Sequence, residues 1–107
     1  MCPMRSFIES LPPDRRNVML SAITEVLEPN GLELVKSAWL KALGSGLHEF
    51  RIRRPAVVLR VFCHFHGDRI VLLLSGYDKG GDDSSRRQDR EIAKARKHLA
   101  AWQRHHR

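Results

Sequence analysis

A chain of 107 residues and 12.3 kDa has room for one hydrophobic core, so a single domain over residues 1–107 is expected. Its 42% hydrophobic and 29% charged side chains are an ordinary balance for a soluble globular chain, and the longest apolar run, Ile70 to Leu74, falls far short of the ~20 residues that span a bilayer. The 19 Lys and Arg against 12 Asp and Glu give a net charge of +7, all of it in residues 48–107, because residues 1–47 hold five basic and five acidic side chains. Such a field favours a polyanion or an acidic protein as partner, a plain solvated basic surface being the alternative. Met1-Cys2-Pro3-Met4-Arg5 has no apolar segment behind its basic residue, and two cysteines make no disulfide framework. A bacterial cytoplasmic location with no membrane partner is the expectation.

Residues 3–11 predict a short helix, with Pro3 in its first turn and Phe7, Ile8 and Leu11 on one side. Pro12-Pro13 ends it, and Asp14 stands where a carboxylate favours the start of a second helix. There Val18, Met19, Ala22, Ile23, Val26 and Leu27 follow helical spacing until Glu28-Pro29-Asn30-Gly31 stops it. Beyond Gly44-Ser45-Gly46 the period changes to two. Leu47 to Arg53 puts His48, Phe50 and Ile52 on one face and Glu49, Arg51 and Arg53 on the other. Pro55 interrupts, Val57 to Phe65 is a β-branched and aromatic strand, and His66-Gly67-Asp68 reads as a hairpin turn. Arg69 to Ser75, almost wholly apolar, reads as a third and central strand. Tyr77 to Asp83 reads as a Gly-rich loop. Ser84-Ser85 caps a last helix, with Gln88 placed as in a capping box and Ile92, Ala95, Leu99 and Trp102 on its apolar line. The expected order is ααβββα, an α+β domain with a twisted antiparallel sheet.

Five segments in this order carry a family resemblance. They are Arg5 to Pro12, ending in Leu-Pro; Lys36 through Gly46-Leu47-His48-Glu49-Phe50-Arg51-Ile52-Arg53; Leu59-Arg60-Val61-Phe62 with Phe65; Ile70 to Lys79; and Arg90-Glu91-Ile92-Ala93-Lys94-Ala95. Together they resemble the RelE/HigB superfamily of bacterial type II toxins, in particular its phage-derived HigB-like branch. Two departures stand out. The family commonly opens with a β-strand before the first helix, and this usual first strand is absent here. Many relatives carry two adjacent lysines after the aromatic, where this chain has Lys79-Gly80-Gly81-Asp82-Asp83.

The resemblance implies a RelE-like fold and a ribosome-dependent mRNA endonuclease, without cofactor or metal. In such enzymes the 2′-hydroxyl attacks the adjacent phosphate, leaving a cyclic phosphate and a free 5′-hydroxyl. Partners would be the ribosome, mRNA and a cognate antitoxin of helix-turn-helix, HigA-like type. The reaction needs a base, an acid and cations for the extra negative charge. Arg51, Arg60, Tyr77, Lys79 and His64 form the expected catalytic set. Arg53, Arg86, Arg87, Arg90 and Lys94 are the expected RNA- or ribosome-binding cations.

Each has a plainer alternative. Arg60, among apolar neighbours, either meets phosphate or forms a structural pair with Glu49. Tyr77 either stacks on a base or passes a proton, or it closes the sheet as a half-buried aromatic. Lys79 either meets phosphate or is solvated. Of His48, His64 and His66, His48 shares the face of Phe50 and reads as a packed histidine, whereas His64 shares the face of Arg60 and Phe62 and is the better acid/base candidate. Cys63-His64-Phe65-His66 lacks an evident fourth ligand for zinc, and Gly80-Gly81 lacks the setting of a phosphate-binding loop. The rival function is non-enzymatic: a ParE-like inhibitor of DNA gyrase, or a basic RNA-binding module whose catalytic set has decayed.

Overall fold

The computed structural model describes residues 3–67, 70–80 and 84–105. Helices α1 (Pro3–Ser10) and α2 (Pro13–Ala22) form where the apolar spacing requires them. Arg16 locks their corner by donating to the carbonyls of Ile8 and Leu11, at 3.2 and 3.0 Å. The second helix ends within the expected Glu28–Gly31 stop. It runs through a π turn (Ile23–Leu27) and a short turn α3 (Glu28–Asn30) into a 3₁₀ segment, Gly31–Lys36. Pro29 directly follows the π turn, and Gly31 at φ +54° turns the chain.

Four strands follow where three are expected: β1 (Leu40–Gly44), β2 (Leu47–Arg54), β3 (Val57–His66) and β4 (Ile70–Asp78). They form one antiparallel sheet in the order β1-β2-β3-β4. Strand β1 is five residues at the sheet's rim with only Leu40 buried, so it carries no apolar alternation for a sequence to display. No strand precedes α1 among the described residues. The hairpin position Asp68 lies outside the described residues.

Strand β4 is an edge strand, which corrects the expectation of a central one. Its run is apolar because both faces are covered, one by α1 and the other by α4 (Ser85–His105). On the α1 side Phe7 lies against Gly76 so closely that a Cβ there would stand 2.5 Å from the ring. Strand β4 also extends through Tyr77 and Asp78, so Tyr77 belongs to the ladder and not to a loop.

A bulge interrupts the β3–β4 ladder. Cys63 pairs with Leu73 but Phe62 pairs with Ser75, leaving Leu74 as the extra residue. Leu72 and Leu74 pack toward α4 on one side of the bulge, and Tyr77 does so on the other. Unbroken alternation from Leu72 would have put Gly76 there instead.

The sheet separates two apolar clusters. Toward α1 and α2 lie Phe50, Ile52, Leu59, Val61 and Cys63, with Met4, Met19 and Leu27 from the helices. Toward α4 lie Leu47, Phe62 and Leu74, with Ala95 and Leu99 and the flanking Ile92 and Trp102, the apolar line read from sequence. Ser84 caps α4 through its hydroxyl oxygen, which accepts the Arg87 N–H at 3.2 Å; the Gln88 side chain does not close a capping box and reaches Glu49 instead. No helix among the described residues is long and apolar enough to cross a membrane.

Candidate functional site

Register builds the site. Arg51 of β2 pairs with Arg60 of β3, and Arg60 pairs with Tyr77 of β4, so the three stand in one row across the sheet. One step along, Glu49 pairs with Phe62, and Phe62 with Ser75. Both rows face α4, whose first turns lie over them. The bulge at Leu74 is what brings Tyr77 to this face beside Arg60.

Glu49 organises the cluster and is absent from the expected catalytic set. Its carboxylate is fully buried (0% exposed), 2.9 Å from Arg51 Nε and 3.6 Å from Arg60 Nε. Gln88 of α4 donates to the other carboxylate oxygen at 3.4 Å. A carboxylate taken out of water is costly, and two guanidinium groups with an amide offset that cost. The signal for Glu49 was present in the alternation that put it on the face of Arg51.

Arg60 is only 2% exposed. It realises the pairing alternative, its other donor contact being Nη1 to the Leu59 carbonyl at 3.4 Å. Burial lowers the Arg60 pKa from the ordinary guanidinium value, and the Glu49 carboxylate opposes that shift. Tyr77 is 3% exposed, stacks on Phe62 with ring centroids 5.9 Å apart, and lies under the Arg87 guanidinium at 5.1 Å. Burial, reinforced by the negative Glu49, raises the Tyr77 pKa, so its phenol holds its proton. The Tyr77 hydroxyl, Arg60 Nε and Ser75 Oγ are buried with no hydrogen-bond partner among the described residues. Groups left this way cost about 1–3 kcal/mol each.

The remaining expected residues divide by position. Arg51 is partly exposed and opens the row to solvent at the β2 edge. Arg53, two residues on, is exposed. Lys79 prolongs the ladder by one bond, its N–H donating to the Val58 carbonyl at 2.8 Å. Arg87 is a roof over Tyr77 and also donates to the Asp78 carbonyl at 3.1 Å, while the Asp78 carboxylate pairs with Arg15. Arg86 and Arg90 are exposed on α4, and Lys94 pairs with Glu91 at 3.6 Å.

His64 stands apart. It is four residues from Arg60 along β3, roughly 13 Å at the rise of a strand. There its Nδ1 lies 2.8 Å from the Gly46 carbonyl and its ring packs against Trp102. His48 packs edge-on against Phe65, as a face shared with Phe50 predicts. Cys63 faces the α1–α2 core, away from His64, and burial pushes its thiol up to about 12. Among the described residues no group of three or more His, Cys, Asp or Glu side chains could hold a metal ion.

An antiparallel sheet carrying the Arg51–Arg60–Tyr77 row, with the Glu49 carboxylate in the next row, beneath a basic C-terminal helix defines a small basic α+β protein. The family described as phage derived protein Gp49-like (DUF891) matches residues 6–100, and the chain belongs to that family. Comparison with curated proteins and with solved structures finds no match.

Proposed function

We propose that this protein is the toxin of a type II toxin–antitoxin pair of RelE/HigB kind: a cytoplasmic endoribonuclease, folded as one domain, that cuts mRNA on the ribosome. The observation that carries the reading is the cross-strand row Arg51–Arg60–Tyr77 on the basic half of a chain of this family. In it Arg51 meets the phosphate, because it is the arginine of the row open to solvent. Arg53 and Lys79 flank it, and Arg86, Arg90 and Lys94 hold ribosomal or messenger RNA. Glu49, held in turn by Arg60, fixes the Arg51 guanidinium in place; the attacking 2′-hydroxyl gives its proton to solvent water, and the protonated Tyr77 gives one to the leaving 5′-oxygen once Arg87 lifts from its ring, the phenolate then regaining a proton from water. The set is rich in cations and poor in bases. That suits a reaction in which the ribosome aligns the RNA and the protein stabilises developing charge. His64 takes no part in this scheme.

A second reading has one observation in its favour: Arg60 and Tyr77 are both closed from solvent, as in a module that binds RNA without cutting it. Expression of the chain without its antitoxin, followed by pulse-labelling, separates these. Loss of methionine incorporation with continuing DNA synthesis, together with new 5′-hydroxyl ends in mRNA that survive a chelator, supports the endoribonuclease. Arrested translation over intact mRNA supports the binding module. Arrested replication with early SOS induction overturns both in favour of a gyrase-directed protein.

A further inference from the structure

Strand β2 outruns its neighbour. The pairing with β1 ends at Leu40 opposite Phe50, and a single further bond, Arg51 N–H to the Trp39 carbonyl at 2.7 Å, closes it. Arg53 and Arg54 therefore extend past the end of β1, with Trp39 at the corner. The indole is half-buried and stacks on Phe50, centroids 5.7 Å apart and planes 19° from parallel. The Arg54 guanidinium carbon lies 5.5 Å from its centroid. Between Ala38, Trp39, Arg51 and Arg53 is a hollow of about 240 Å³.

We propose that this hollow is a nucleobase pocket, which receives the base next to the phosphate held by Arg51. An aromatic plate backed by a buried ring, edged by guanidinium groups, matches a nucleotide in both its parts. The indole offers a stacking surface, and Arg51 and Arg53 offer charge-assisted donors to phosphate. An acidic peptide would use the cations and leave the indole without a counterpart. Arg54, exposed, hydrogen-bonded to its neighbour's carbonyl and already over the indole, swings aside to admit the base and closes on it as the second plate. Arg51 joins the two halves: its Nε is on Glu49 and its side chain lines the pocket. The inference rests on the RNA-directed reading above and adds to it the contact that selects sequence.

The chain has two tryptophans, so Trp102→Phe leaves Trp39 as the sole emitter in the full-length protein. The probe is a 2′-O-methyl RNA trinucleotide, which cannot be cut, beside a trimer of the same phosphates with its central base removed. The base-bearing trimer should quench Trp39 and bind roughly tenfold more tightly than the abasic one. Trp39→Leu should make the two trimers equal when binding is followed by anisotropy of an end-labelled probe, and Trp39→Phe should keep most of the difference. Should Trp39→Leu fail to fold, Trp39→Phe and the quenching titration still decide the matter. Equal affinities with unchanged emission overturn the pocket, as does an oligoglutamate that quenches Trp39 and displaces the trimer at equal concentration. Binding needs no cleavage. Base-dependent quenching in a protein that cuts nothing sinks only the endonuclease, and an arrest of translation untouched by Trp39→Leu sinks only the pocket.

Discussion

Phe50 and Arg51 are neighbours in sequence and lie on opposite faces of one strand. Phe50 enters a cluster built from α1, α2 and the sheet that is apolar but for the Cys63 thiol and, at its margin, the His48 ring, whose Nδ1 is buried without a hydrogen-bond partner among the described residues. Arg51 enters a face that is apolar only toward its His64 end; toward the other end it buries a carboxylate, an arginine and a phenol. The first face is filled by area and shape and stabilises the fold. The second leaves buried donors unpaired, which disfavours folding and holds polar groups ready for a partner. Stability and reactivity are thus drawn from two sides of the same sheet, and substitutions should separate them.

The largest effect falls on the apolar side. Phe50→Ala should lower stability by about 3–5 kcal/mol in urea denaturation, with activity per folded molecule retained. Activity lost beyond the folded fraction would mean that the two faces are coupled. Arg60→Ala should come next and strike both quantities. It removes one cation from the buried Glu49, and it should reduce RNA cleavage by about 100-fold, or roughly 3 kcal/mol in the barrier. Arg60→Lys should recover most of the stability and little of the activity, because a point charge does not reproduce the planar guanidinium. Thermal melts beside cleavage assays check both variants, and an Arg60→Ala protein as stable as the parent would contradict the buried pair.

The contrast was unevenly legible. Alternation in Leu47 to Arg53 assigned Phe50 and Arg51 to opposite faces, and the helical spacing of Ile92, Ala95, Leu99 and Trp102 gave the face of α4 that covers the sheet. Both are local periodicities, and they carried through. The failures are non-local. Strand β1 is held by pairing with β2 and has no apolar pattern of its own. The apolar run of β4 suggested a central strand, whereas two helices bury it at the edge. His64 was grouped with Arg60 by face alone; distance along the strand separates them. Glu49 was visible as a possible partner of Arg60, but its depth and its second arginine belong to the folded state.

Tyr77→Phe sharpens the comparison further. Removing a buried hydroxyl that has no partner should raise stability by about 1 kcal/mol, seen as a higher denaturation midpoint, while cleavage slows. A loss of stability would show that the hydroxyl is satisfied in solution. The smallest effect belongs to His48. Burial, the largest influence, lowers its pKa, so below about 6.5 the unfolded chain takes up a proton that the folded one refuses. Stability should therefore be full above that pH and decline as pH falls toward the folded-state pKa. His48→Gln should flatten this slope in denaturation series between pH 7 and 5, and an unchanged slope would assign it to other groups.

The bulge at Leu74 has a genetic corollary. Deleting that one codon would leave Arg60 opposite Tyr77 in an unbroken β3–β4 ladder, whereas inserting one codon between Leu74 and Tyr77 would carry Tyr77 a step on, opposite Leu59, and turn its side chain toward α1. No arginine, carboxylate or phenol would be lost from the sequence, yet the row across the sheet would be missing a member. Within this family, single-residue insertions in β4 are thus a route to inactive alleles that a census of site residues would score as intact, while loss of the bulge residue itself is not.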